Sequence, residues 1–122
     1  QAENVADRIH FMGIRMNIPE LLKAADYIVL SSHWEGFGLA AVEGMCTGRP
    51  VVVSNVEGLA QIVENSGILF QHQNAKQLAQ EIITLEACPT KYQTVAQQCF
   101  NKAQLFDISI MVNKYNDVYR NA

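Results

Sequence analysis

The chain lacks several features that would mark it as a particular class of protein. Its nine Lys and Arg residues are scattered and its net charge is −3, so it has no basic stripe of the kind that binds nucleic acid. Its longest apolar runs are too short to cross a bilayer, and no secretory pattern precedes them. Its three cysteines (Cys46, Cys88 and Cys99) lack metal-ligand or redox spacing. They are typical of small buried residues in a reducing compartment.

The composition instead indicates a globular interior. Hydrophobic residues make up 49% of the 122 residues and charged residues 17%, which predicts one domain, residues 1–122, with one core. The sequence begins at Gln1 without an initiator methionine. We therefore expect a fragment of a longer protein.

Strand-like and helix-like segments alternate over the first 85 residues. The predicted strands are residues 9–12, 27–30, 51–53 and 68–70. The predicted helices are residues 19–25, 38–47, 59–64, 75–87, 90–105 and 108–119. This alternation predicts an α/β fold: a Rossmann-like parallel sheet with helices on both faces, followed by C-terminal helices. In such a sheet, ligands bind at the carboxyl ends of the strands.

The stretch 27–54 combines a strand, a glycine-containing turn, a helix and a second strand. Gly36 and Gly38 in the turn allow backbone N–H groups to approach a ligand, and the helix N-terminus favours an anion such as a diphosphate. Glu35 precedes the helix, and Glu43 lies about 7 Å along it at 1.5 Å per residue. The two carboxylates could hold hydroxyls at either end of an extended sugar-diphosphate-nucleoside. The alternatives are a plain tight turn and two solvated surface charges.

A longer pattern surrounds these residues. It consists of Ser32 to Leu39 (S-x-x-E-G-F-G-L), seven residues between Glu35 and Glu43, then Gly48 and a Pro-Val-Val sequence at 50–52. The pattern resembles the signature of retaining glycosyltransferases of the GT-B fold, family GT4 (glycosyl transferases group 1). The resemblance covers residues 5 to about 85 well and implies part of the C-terminal, nucleotide-sugar-binding domain.

The resemblance also implies a donor site. Glu35 would be the catalytic candidate, contacting donor-sugar hydroxyls, and Glu43 would hold the ribose. The backbone between them would meet the sugar and the diphosphate: Gly36, Phe37, Gly38 and Leu39. The base would lie against a loop upstream: Gly13, Ile14 and Arg15.

As a whole, such an enzyme would transfer a sugar from a nucleoside diphosphate to an acceptor hydroxyl with retention, without a metal or cofactor. A saccharide or lipid acceptor would bind an N-terminal domain that this sequence lacks, so the fragment itself would be inactive. The resemblance implies polysaccharide or glycolipid biosynthesis in the cytoplasm. Peripheral attachment to the inner membrane face through the missing domain is an alternative.

Two strands of the family's sheet are also missing, and they would lie between the predicted strands 9–12 and 27–30. An open edge of this kind invites pairing between molecules, so we expect the fragment to form a homodimer. Swapping of an element between the two chains is one way to form it. A non-catalytic α/β nucleotide-binding or interaction module is the alternative function. A dinucleotide oxidoreductase lacks support because no G-x-G-x-x-G follows the first strand.

Two further residues have open interpretations. Gly44 stands inside the predicted helix where the family prefers alanine, and glycine there costs up to about 1 kcal/mol. Packing, a ligand or neutral drift could each account for it. His33 is the one histidine beside the glycine turn, and an ordinary surface histidine is its simplest interpretation.

Overall fold

The computed structural model describes residues 4–121, apart from the side chains at positions 111 and 114. Three strands alternate with helices: β1 (Ile28–Leu30), β2 (Val51–Ser54) and β3 (Ile68–Phe70). The α-helices are α1 (Ile18–Ala24), α2 (Leu39–Cys46), α3 (Leu59–Val63), α4 (Ala75–Ala87), α5 (Pro89–Ala103) and α6 (Ile108–Arg120). Short 3-10 turns lie at Ala6–Arg8 and Gln104–Phe106.

The sheet is parallel, with strand order β1-β2-β3. Ile28 lies opposite Val51, and Val52 lies opposite Ile68. The α/β fold with a parallel sheet and C-terminal helices is therefore confirmed. Because the strands are parallel, their carboxyl ends meet at one edge, and the loops that follow them are brought together there.

The predicted strand at residues 9–12 is wrong. This segment has no strand structure, and Phe11 is 96% exposed. A strand persists only where its backbone N–H and C=O groups find partners, and residues 9–12 pair with no strand of the described chain. The apolar run predicted a strand, but residues 4–121 contain no partner strand for it.

The core is centred on β2, whose Val51, Val52 and Val53 are fully buried, as expected for a strand covered on both sides. By contrast, Val29 of β1 is 38% exposed, so β1 is not covered on both sides. In the next layer, α2 fits closely onto the sheet at Gly44. A Cβ added there would lie 2.9 Å from Ile28 Cγ2. Packing thus accounts for this glycine.

At the amino end of the sheet, two tyrosines connect the start of β1 to the C-terminal helices. Tyr27 donates a hydrogen bond to Glu86 at 2.6 Å, and Tyr92 donates to the carbonyl of Asp26 at 2.7 Å. The hydrogen bond to Glu86 and partial burial together raise the pKa of Tyr27 to about 12. These contacts hold α4 and α5 against the amino end of the sheet, away from the loops described next.

Candidate functional site

The loop between β1 and α2 lies at the carboxyl edge of the sheet. No backbone–backbone hydrogen bond joins residues 32–37 to the rest of the chain from 4 to 121. Side chains fix the loop instead. Because the loop carries Glu35, these contacts decide where that carboxylate lies.

Glu35 is half-buried, and one of its carboxylate oxygens accepts a hydrogen bond from the Ser32 hydroxyl at 2.8 Å. The carbonyl of Ser32 in turn accepts a hydrogen bond from the Ser54 hydroxyl at 2.7 Å. Ser54 is the last residue of β2 and is fully buried. A line of contacts therefore runs from the centre of the sheet to the carboxylate.

Backbone packing fixes the same loop from the other side. Gly58 has φ +91°, and a Cβ at this position would overlap the Glu35 carbonyl. Only glycine permits both the left-handed conformation and the close approach. Gly36, in contrast, has no atom within 4 Å of an added Cβ, so its surroundings are open.

The N-terminus of α2 has no side-chain cap. Gly38, with φ +77°, is the residue before the helix and supplies no side-chain cap. Its carbonyl accepts the amide of Ala41 at 2.9 Å, and the N–H groups of the first turn are left without a capping side chain. With the helix dipole, this end offers donors and partial positive charge to an anion.

Two aromatic rings close the C-terminal side of the loop. Phe37 packs edge-on against Phe106, with ring centroids 5.9 Å apart. The Phe37 and Leu39 side chains border a cavity of about 500 Å³ lined by apolar residues of the C-terminal helices: Leu105, Phe106, Ile110, Tyr115 and Val118. The side chains at 37 and 39 therefore face α6 and the turn before it.

Glu43 is exposed and borders a separate cavity of about 370 Å³ between α1 and α2. The other residues lining it are Ile18, Pro19, Leu22, Lys23, Cys46 and Thr47. Partial burial raises the pKa of the Cys46 thiol, and the Glu43 carboxylate raises it further. The cavity is therefore lined by apolar side chains together with the Glu43 carboxylate and the Lys23 ammonium group.

The upstream loop makes little contact with these parts. Gly13 adopts φ +65°, Ile14 is fully exposed, and Arg15 donates to the side chain of Asn17 at 3.3 Å. Within the described chain, none of the three lines the cavity beside Glu43. The role of this loop stays a prediction.

His33 makes a contact that its sequence position did not indicate. Its Nδ1 atom lies 2.7 Å from Nε2 of His72, and the two rings meet edge-on. His72 follows β3, so the pair joins the first and third loops of the carboxyl edge. Within residues 4–121, no group of three or more His, Cys, Asp or Glu side chains is placed to hold a metal ion.

Sequence reasoning missed four residues that support the site: Ser32 as a partner of Glu35, Ser54, Gly58 and His72. The three-residue spacing from Ser32 to Glu35 was a usable signal, because such spacing allows a local side-chain contact. The other three reach the loop from later elements, and no local pattern links them to it.

A comparison with known families shows which family the chain belongs to. The family described as glycosyl transferases group 1 matches residues 1–102. The chain belongs to the group 1 glycosyltransferases. Its predicted resemblance to the C-terminal part of the GT-B fold in family GT4 is thereby confirmed.

Two relatives have names that state an activity. The chain is 31% identical to the N,N'-diacetylbacillosaminyl-diphospho-undecaprenol alpha-1,3-N-acetylgalactosaminyltransferase of Campylobacter jejuni, over 91% of this chain and 30% of the relative. It is 33% identical to the UDP-Gal:alpha-D-GlcNAc-diphosphoundecaprenol alpha-1,3-galactosyltransferase of Escherichia coli, over 95% of this chain and 30% of the relative. The chain thus spans about a third of the length of such transferases.

A solved structure of another protein has the same fold. The crystal structure of Anabaena HepE in complex with UDP-glucose is 30% identical, with a TM-score of 0.87. The match covers 96% of this chain and 33% of HepE. In the described residues, no helix is both long enough and apolar enough to cross a membrane.

Proposed function

We propose that this chain binds the nucleoside-diphosphate-sugar donor of a retaining glycosyltransferase, with a uridine nucleotide as the donor's carrier. In the proposed arrangement, Glu35 contacts the sugar, the Gly36–Leu39 backbone meets the diphosphate and Glu43 holds the ribose. Support for uridine comes from HepE, solved with UDP-glucose, and from the E. coli relative, whose name specifies UDP-Gal.

One observation carries the proposal. The uncapped N-terminus of α2 lies between two carboxylates, one held in the preceding loop and one in the second turn of the helix. A diphosphate suits the helix end because it is an anion, and carboxylates suit the hydroxyl groups that flank it in a nucleotide sugar. If Glu35 were only a solvated surface charge, its carboxylate would not need to be held by the Ser32 hydroxyl.

The proposed chemistry is transfer of the sugar to an acceptor hydroxyl with retention at the anomeric carbon. The bond from that carbon to the diphosphate oxygen breaks, and the acceptor oxygen forms the new bond on the same face. The helix end stabilises the charge that develops on the departing diphosphate, an electrostatic contribution that requires no rearrangement during reaction. The acceptor, a saccharide or a lipid-linked saccharide, is bound by a second domain, so the 122-residue chain alone is inactive.

Titration of the full-length protein with UDP, GDP and ADP tests the donor assignment. We expect UDP to bind, and Glu43→Ala to weaken it by roughly 10- to 100-fold, since charge-assisted hydrogen bonds contribute about 1.5–3 kcal/mol. Glu64→Ala is the matched control, because Glu64 is an exposed glutamate before β3, at the other edge of the sheet. The Glu64→Ala variant should bind UDP with the affinity of the wild-type protein.

The rival function, a non-catalytic α/β interaction module, predicts a different result. Absence of binding to all three nucleotides, or UDP binding unchanged by Glu43→Ala, would favour the module. Tighter binding of GDP or ADP than UDP would overturn the choice of uridine. Sugar transfer by the isolated chain would contradict the requirement for a second domain.

A further inference from the structure

The loop that presents Glu35 depends on a residue of another strand. Ser54 ends β2, and the residue before it, Val53, lies opposite Leu30, the last residue of β1. The position of Ser54 is therefore level with the start of the loop. A fully buried hydroxyl must find a partner, and this one donates to the carbonyl of Ser32.

Ser32 contributes two polar groups, its carbonyl and its hydroxyl, to the same line of contacts. Its carbonyl accepts from Ser54 at 2.7 Å, and its hydroxyl donates to the Glu35 carboxylate at 2.8 Å. Fixing the Ser32 backbone fixes the origin of its side chain, which has a single rotatable bond before the hydroxyl oxygen. The direction of the Glu35 carboxylate therefore depends on where Ser54 holds Ser32.

We propose that Ser54 is a positioning residue for Glu35, acting through Ser32 and without touching the ligand. Nothing else in β2 makes a side-chain hydrogen bond to this loop in the described chain. The inference rests on the proposed function, since Glu35 matters for ligand preference only if it contacts the sugar. It adds to that function a residue outside the glycine-containing turn that tunes recognition of the sugar rather than of the nucleotide.

The test compares the binding of two ligands to the full-length protein: UDP-glucose, and UDP, which lacks the glucose. Ser54→Ala removes the hydroxyl, so the Ser32 carbonyl loses its partner and Glu35 loses its fixed direction. We expect the affinity for UDP-glucose to fall roughly 5- to 10-fold while that for UDP changes less than about twofold. A loss of overall stability would not change the ratio of the two affinities in the folded protein.

A second buried serine provides a matched control. Ser66 is 5% exposed, and its hydroxyl donates to the carbonyl of Val63 at 2.9 Å, away from the loop. Ser66→Ala removes the same kind of hydrogen bond and should leave the ratio of affinities unchanged. Ser54→Thr keeps a hydroxyl at the critical position and should retain most of the ratio, even where thermal unfolding shifts to lower temperature.

The decisive measurement repeats Ser54→Ala in a Glu35→Ala background. If Ser54 acts through Glu35, the substitution changes the ratio no further once the carboxylate is gone. An unchanged ratio in Ser54→Ala alone, or an equal fall with and without Glu35, would overturn this role for Ser54 while leaving donor binding intact. If the wild-type protein binds neither ligand, the proposed function fails, and this role fails with it.

Discussion

At the scale of single residues, Glu43 affects the chemistry of its neighbour Cys46. Cys46 is accessible from solvent, so the burial expected from the sequence is wrong for this cysteine. The two side chains border the same cavity, which is lined by residues of both α1 and α2. Partial burial of the thiol is the larger cause of its raised pKa, and the negative charge of Glu43 is the second. Only the thiolate attacks an alkylating reagent, so Cys46 reports on the charge beside it.

Glu43→Gln should therefore make Cys46 react faster. Removing the carboxylate charge lowers the pKa of the thiol, which increases the thiolate fraction at pH 7.5 and raises the rate of iodoacetamide labelling by a factor of about two. Peptide mass spectrometry would follow each cysteine separately. Cys88 is exposed at the junction of α4 and α5 and serves as the internal control, with an unchanged rate. Equal or slower labelling of Cys46 would show that Glu43 does not act on it.

The residues of the site differ in how far the sequence could reveal them. Glu35 and Glu43 belong to one continuous stretch, so their spacing along a predicted loop and helix indicated them as candidates. His72 and Ser54 contact the same loop from 39 and 22 positions away. Such partners depend on strand order and register, which no local pattern specifies.

At the scale of elements, the loop before α2 is confined on one side and open on the other. Gly58 presses against the Glu35 carbonyl, whereas an added Cβ at Gly36 meets nothing in the protein. These two glycines therefore separate two reasons for having no side chain. One is contact within the fold, and the other, under the proposed function, is contact with a ligand.

Alanine at each position should distinguish the reasons. Gly36→Ala should leave the free energy of unfolding within about 0.5 kcal/mol of wild type and yet weaken UDP-glucose binding roughly tenfold, if the ligand lies against that backbone. Gly58→Ala should destabilise the fold by about 2 kcal/mol or more, because it combines left-handed strain with an overlap. Chemical denaturation and ligand titration would measure both. Wild-type binding by Gly36→Ala would exclude a close approach there.

Elements that carry their own signals were predicted well. Helix α4 begins and ends as expected, and Asn74 caps it by accepting the amide of Gln77 at 2.9 Å. Residues 9–12 are apolar at three of four positions but have no strand structure. A helix satisfies its backbone locally, whereas a strand needs a neighbour, so local sequence suffices for the first and not for the second.

At the scale of the whole molecule, the sheet has exposed edges. β1 pairs only with β2 within residues 4–121, which leaves its other side unpaired. Apolar side chains before α1 are also exposed, including Phe11 at 96% and Met16 at 95%. An unpaired strand edge beside exposed apolar residues is a surface on which other chains can pair.

We predict that the 122-residue chain dimerises through the free edge of β1. Sedimentation equilibrium at increasing concentration should detect a dimer, because edge pairing satisfies backbone groups that are otherwise left to water. Val29→Lys places like charges close together across the new strand pair and should weaken association by roughly fivefold. Ile83→Lys is the control, since Ile83 is an equally apolar, exposed residue on α4 and should leave the dimer unchanged. A monomeric mass at high concentration, or equal weakening by the two lysines, would show that the edge of β1 is not where the chains meet.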